Sequence, residues 1–191
     1  MATLTASQTR ATPADLEMIP DGEARYELID GEIRERNMSA ESNFVSANIN
    51  GEVRNCALAN NLGLAFTDGC GIQVFPEPNP LRVSDGAFVA AGRLPGDRPP
   101  ATGYLRLAPD LVVEVVSPND LTYEIDRKIA DYLAAGVRLV WVAHPETRLI
   151  YAYHAAAPAH VYGPEDDLDG GDVLPGFSVR VAALFPAPVG A

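Results

Sequence analysis

Three features of the sequence predict a mixed α/β (α+β) fold: a central mixed sheet flanked by helices, with an N-terminal β-hairpin. The first is RYELIDGEIRER, residues 25–36, in which apolar and polar residues alternate on either side of Asp30-Gly31. Such a dipeptide between alternating runs is a strong hairpin signal. The second is a pair of helical patterns, residues 39–61 and 122–135. The third is a set of short apolar runs between and after them, including LVVEVV, VRLVWVAH and RLIYAYH. The order strand pair, helix, strands, helix, strands suits layers packed around one sheet.

The elements follow in order. Residues 1–11 are polar and are expected to form a disordered tail, leaving residues 12–186 as a single domain. TPADLEMIP begins with a capping Thr12 and a Pro13 at the first helical position. In the long helix Phe44, Val45, Ile49, Val53, Cys56 and Ala57 recur at helical spacing, and Ser39 or Ser42 can cap it. LGLAFTDGCGIQVF reads as a strand kinked at its glycines, and LRVSDGAFVAA as another. Residues 92–109 are rich in Pro and Gly and form a long loop, expected to border a functional groove. Gly136 ends the second helix. VRLVWVAH and RLIYAYH pair across a Pro-Glu-Thr turn. The tail holds a turn-rich loop, one short strand and a hydrophobic anchor.

Composition narrows the function. The chain has 191 residues, 47% hydrophobic and 21% charged, an ordinary globular balance. Its net charge of −12 argues against blanket coating of nucleic acid, which needs clustered Lys and Arg, but leaves room for a local basic groove. Cys56 and Cys70 make neither a disulfide framework nor a zinc pattern, and are expected as reduced thiols of a cytoplasmic protein. No apolar signal region begins the sequence, and no run is long enough to span a membrane. His144, His154 and His160 lack metal-ligand spacing on one element.

One residue breaks the pattern. In PDLVVEVVSPND, Leu111, Val112, Val113, Val115 and Val116 suit a strand covered on both faces, and Glu114 does not. A carboxylate in such a place needs a cationic partner. The following helix offers Lys128, within or at the edge of the face shared by Ile125, Ile129 and Tyr132, while Arg127 and Asp131 point away. Two readings stand for Lys128: inward toward Glu114, or at the rim with its head in water. Asp85 shares a strand face with Val83, Ala87 and Val89, but Asp-Gly is also a turn signal, as at Asp21, Asp30 and Asp68. If Asp85 and Glu114 approach each other, they need a cation between them. Oxygen ligands with room for water suit Mg²⁺ or Mn²⁺. Such an ion makes water far more acidic, and a nearby Lys stabilises charge on a phosphate. This is a kit for phosphodiester hydrolysis.

The strings RYELIDGEI, LVVEVVSPND, EIDRKIADYLAAGVRLVWVAHPETRLIYAYH and DDLDGGDVLPGFSVRVAALF, in that order, resemble the Uma family of restriction-endonuclease-like proteins in the PD-(D/E)XK nuclease superfamily. The resemblance spans residues 12 to 185. It implies a restriction-endonuclease-like core and a Mg²⁺-dependent DNA endonuclease. By motif, Asp85 and Glu114 are then catalytic metal ligands, joined by the backbone carbonyl of Val115. The superfamily places a Lys two residues after the acidic residue. Val116 stands there, and Lys128 fits a Lys displaced onto the following helix. Ser84 replaces a common Pro, Asn43 stands where a His is frequent, and His144 where an Asp is common. Glu27 and Glu32 flank the hairpin turn and are expected as structural or supporting residues, because hairpin strands alternate outward charges. Gln73 is expected at an exposed strand position. A homodimer would match the symmetry of duplex DNA. The alternative is a catalytically inactive nuclease-fold protein acting as a binding or regulatory module, marked by an acidic rather than a basic groove.

Overall fold

The computed structural model describes residues 10–19, 25–29, 31–36, 38–73 and 81–187. The elements are α1 (Pro13–Glu17), β1 (Arg25–Ile29), β2 (Glu32–Arg36), α2 (Ala40–Ala59), β3 (Gly63–Ile72), β4 (Arg82–Ala90), β5 (Leu111–Val115), α3 (Thr122–Ala134), β6 (Leu139–His144), β7 (Leu149–His154), β8 (Ala157–Tyr162), β9 (Asp167–Asp169) and β10 (Ser178–Arg180). The expected tail lies outside the described residues except Arg10 and Ala11. Ala11 N–H is bonded to the Gly31 carbonyl at 2.8 Å, so this end is tied to the hairpin turn.

The six-stranded sheet runs β3-β4-β5-β6-β7-β8. Only β5 and β6 pair in parallel. A parallel pair needs a crossover, and α3 supplies it. Successive residues of β5 face opposite sides. Leu111, Val113 and Val115 join Val45, Ile49, Val53 and Ala57 of α2 in the main core, together with Trp141 and the C-terminal anchor Val181, Leu184 and Phe185. Val112 turns the other way, to Ile129 and Tyr132 of α3. Glu114 falls on that second side. The mixed α/β fold with its N-terminal hairpin is thus as the sequence predicts.

Thr12 caps α1 in a reciprocal box with Asp15, and the Ser39 side chain accepts from Ser42 N–H to cap α2. Asp68-Gly69 does not turn the chain; it lies where the register of β3 shifts against β4, a bulge with Gly69 at φ 87°. Asp85-Gly86 is not a turn either: both lie within β4. Glycine is required at 86 because a Cβ there would stand 1.9 Å from Asn50 Oδ1 of α2.

Some expectations need correction. Phe44 is exposed, not packed in the core. β8 was not anticipated, since Ala, Pro and His carry little strand preference; it is a largely exposed edge strand held by main-chain pairing to β7. The tail contributes two short strands, β9 and β10, where one was expected. The loop after β4 buries Leu94 and Leu105 and none of its residues lines the main cleft. Both cysteines are free and half-buried, and burial pushes the Cys70 thiol up to about 12.

Candidate active site

The β4–β5 ladder ends at the pair Gly86↔Val113. The next residue on each strand is acidic: Asp85 and Glu114. Beyond this point Asp85 Oδ2 accepts the Val115 N–H at 2.7 Å, so a side chain takes over where the backbone ladder stops. The Asp85 carbonyl is held from the opposite side by α2, with Asn50 Nδ2 at 2.7 Å and Ser46 Oγ at 3.1 Å. Asp85 is thereby fixed by three groups from two elements, and it is fully buried.

Glu114 meets two residues of α3 placed four apart, and therefore on one helix face. Tyr132 OH donates to Oε1 at 2.7 Å and Lys128 Nζ to Oε2 at 3.2 Å. Lys128 is not at the rim with its head in water: its side chain is only 12% exposed. The same ammonium lies 3.1 Å from Glu27 Oε1. Glu27 also accepts the Val83 N–H at 3.0 Å. Two buried carboxylates thus share one lysine.

Glu27 was expected as a structural or supporting residue, on the ground that hairpin charges point outward; the outward direction fails. Glu27, Leu28 and Ile29 of β1 are all buried, so alternation along this strand could not say which way Glu27 points. Glu32 follows the expectation: it is exposed and pairs with Arg34. Asp131 does not point away. It pairs with the buried Arg82 of β4, at 3.0 Å from Nε and with a closer contact to Nη2, and so pins α3 to the sheet.

A cleft of about 550 Å³ opens over this point, lined among others by Glu27, Asn43, Asp68, Glu114, Val115 and Lys128. Asp85 is not part of the lining and sits behind it. The lining also includes Glu35, Asp120 and Glu124, with Arg34, Arg82 and Arg127. Acidic side chains outnumber basic ones. Asp68, read from sequence as part of an Asp-Gly turn signal, lies at the bulge of β3 and reaches this lining. Asn43 lines the cleft, as its motif position suggests. His144 does not: it packs on Tyr151, and burial lowers its pKa. Gln73 is half-buried beyond the end of β3, its N–H on the Leu105 carbonyl.

The composition also marks this cluster. Lys128 is the only lysine in the chain, against thirteen arginines. An ammonium is a compact point charge on a flexible stem and a guanidinium a planar fork, so the two are not interchangeable in a narrow site.

The donor chemistry suits a hard divalent cation. Asp85, Glu114 and a backbone carbonyl offer oxygen only. An ionised carboxylate has about four acceptor directions, so Glu114 can keep Tyr132 and Lys128 and still turn a lone pair to an ion. No group of three or more His, Cys, Asp or Glu side chains that could hold a metal is found among the described residues. Further ligands would therefore be backbone, water or substrate oxygens.

No helix of the described residues is long and apolar enough to cross a membrane. No curated protein matches the chain. Among solved structures, the chain is similar to one titled as a "putative nuclease belonging to DUF820" from Anabaena variabilis ATCC 29413, with a TM-score of 0.75 at 18% identity, covering 91% of this chain and 97% of that one. At this identity the likeness speaks for the fold. The model of the Uma2 family, described as "Putative restriction endonuclease", matches residues 13–182, nearly the whole chain. The chain belongs to the Uma2 family.

Proposed function

We propose that this protein is a Mg²⁺-dependent DNA endonuclease, with Mn²⁺ as a substitute ion. The observation that carries the reading is the Lys128 ammonium turned inward onto Glu114, at the point where the β4–β5 ladder opens beside Asp85. Asp85, Glu114 and the Val115 carbonyl would hold the cation. Once bound, it would supply an acidified water and stabilise charge on the phosphate.

The remaining work falls to the chain's own groups. The Asn50 and Ser46 bonds to its carbonyl, with Val115 N–H on its carboxylate, keep Asp85 from turning. Tyr132 orients Glu114 through Oε1. Lys128, in the cleft lining, orients the attacking water and stabilises negative charge on the phosphate oxygens. Water oxygen bonds to phosphorus, the P–O bond to the leaving strand breaks, and the leaving oxygen gains a proton. The family match over residues 13–182 supports taking residues 12–186 as one domain. Cutting both strands of a duplex favours a homodimer.

A second reading has its own observation. The acidic balance of the cleft favours a catalytically inactive nuclease-fold protein acting as a binding or regulatory module. Titration calorimetry with Mg²⁺ and Mn²⁺ separates the two, using native protein and Glu114→Gln, with and without a short duplex. Binding by the native protein that the variant loses, together with cleavage of plasmid DNA, supports the nuclease. Absence of binding in every arm supports the module.

A further inference from the structure

We infer that Glu27, on the N-terminal hairpin, is the positioning residue that keeps the Lys128 ammonium in the site once Glu114 is engaged by a cation. This rests on the reading of Glu114 as a cation ligand.

Charge and geometry lead there together. The ammonium lies 3.1 Å from Glu27 and 3.2 Å from Glu114, with side-chain exposures of 12%, 5% and 7%. The one ammonium thus lies between two buried carboxylates. A divalent cation at Glu114 would repel Lys128. Lys128 has a flexible stem and lines an open cleft, so with Glu114 as its sole anchor it could swing into water. Glu27 removes that escape. Its carboxylate is bonded to Val83 N–H, on the strand that carries Asp85, so it is fixed relative to the proposed cation site.

The hairpin is therefore a supplier of the site. β1 and β2 form a sheet of their own, joined to the main body by the bridge Leu28↔Leu81 and by the cluster of Leu16, Leu28 and Leu81. These contacts hold Glu27 over α3. The fold could bury this hairpin with any residue accepting from Val83 N–H, whereas holding an ammonium against a competing cation requires a charge.

The single lysine makes the test clean. Chain labelled with ¹⁵N-lysine carries one side-chain ammonium, whose exchange with water can be followed by NMR. Glu114→Gln imitates a Glu114 whose charge is taken up. Slow exchange is expected to persist in native protein, in Glu114→Gln and in metal-free Glu27→Gln. The double variant should exchange at least about tenfold faster. Glutamine at 27 can still accept from Val83, so the hairpin should stay docked. If Glu114→Gln alone frees the ammonium, or the double variant holds it as the native chain does, the inference is wrong. Should the double variant not fold, Mg²⁺ added to Glu27→Gln decides: faster exchange there, with none in native protein, supports the role, and equal behaviour overturns it. Failure of Mg²⁺ to bind native protein would instead strike the cation reading of Glu114. The metal-free series reports on Glu27 separately.

Discussion

Asp110, just before β5, and Glu114, near its end, are both buried carboxylates, yet their partners differ in kind and number. Asp110 accepts Ala90 N–H and two guanidiniums, Arg93 at 2.7 Å and Arg138 at 3.4 Å. The arginine side chains are 38% and 45% exposed, so their charges remain partly hydrated. Arg138 also pairs with the exposed Asp172 at 2.6 Å, so two guanidiniums serve two carboxylates there. Glu114 shares one enclosed lysine with Glu27, a compact ammonium in place of two partly hydrated guanidiniums. The difference teaches how one fold can use buried charge twice. Asp110, held by half-exposed guanidiniums, fastens a loop, and the Glu27–Lys128–Glu114 cluster is enclosed at the wall of a cleft.

The comparison breaks most decisively at Glu114. Glu114→Gln should remove Mg²⁺ binding by calorimetry and lower plasmid cleavage by about 10³-fold, with a melting temperature close to native because Lys128 retains Glu27. Normal cleavage would end the proposed role.

Next in size is Lys128→Met. With the ammonium gone, two buried carboxylates face each other, and the cost should be about 3 kcal/mol, or roughly 6–12 °C in Tm. Mg²⁺ should restore more of that loss than it adds to the native protein. If the metal raises both melting temperatures equally, the Glu27–Glu114 pair is not where the ion acts.

Asp110→Ala sharpens the contrast from the other side. It leaves Ala90 N–H without its acceptor and should destabilise by about 2 kcal/mol in urea unfolding, with unchanged Mg²⁺ affinity. A matching loss of affinity would mean that the two clusters are one system.

The smallest effect is expected at His144, outside both clusters. Burial lowers its pKa from 6.5. The folded state therefore disfavours the protonated ring, and the stability this contributes is present above pH 6.5 and lost as pH falls through the lower folded value. His144→Gln should flatten that acid-side slope slightly in thermal melts between pH 7 and 5. An unchanged slope would place the acid sensitivity elsewhere.

How far the site could be read from sequence depended on what defined each residue. Glu114 was conspicuous because it interrupts an apolar run, and Lys128 was legible from helix geometry as facing inward or lying at the rim. Asp85 balanced between strand and turn, since Asp-Gly serves both; the close approach of Asn50 to Gly86 decides it. Glu27 was misread because alternation assigns a face only when the other face meets water. Asp68 depended on a bulge, and β8 on pairing rather than on propensity.

The sequence by itself determined the main helices and the strands around them, the cap at Thr12, the hairpin position, the family resemblance, and Glu114 as the misfit of its strand. These are local matters of period, turn chemistry and side-chain preference, which the chain carries in consecutive residues. Tertiary structure alone decided that Glu27 shares Lys128, that Arg82 and Asp131 fasten α3, that α2 grips the Asp85 carbonyl, and that Asp85 lies behind the cleft lining. Each joins groups distant in sequence, and each depends on which faces are covered. That is settled only when the layers pack.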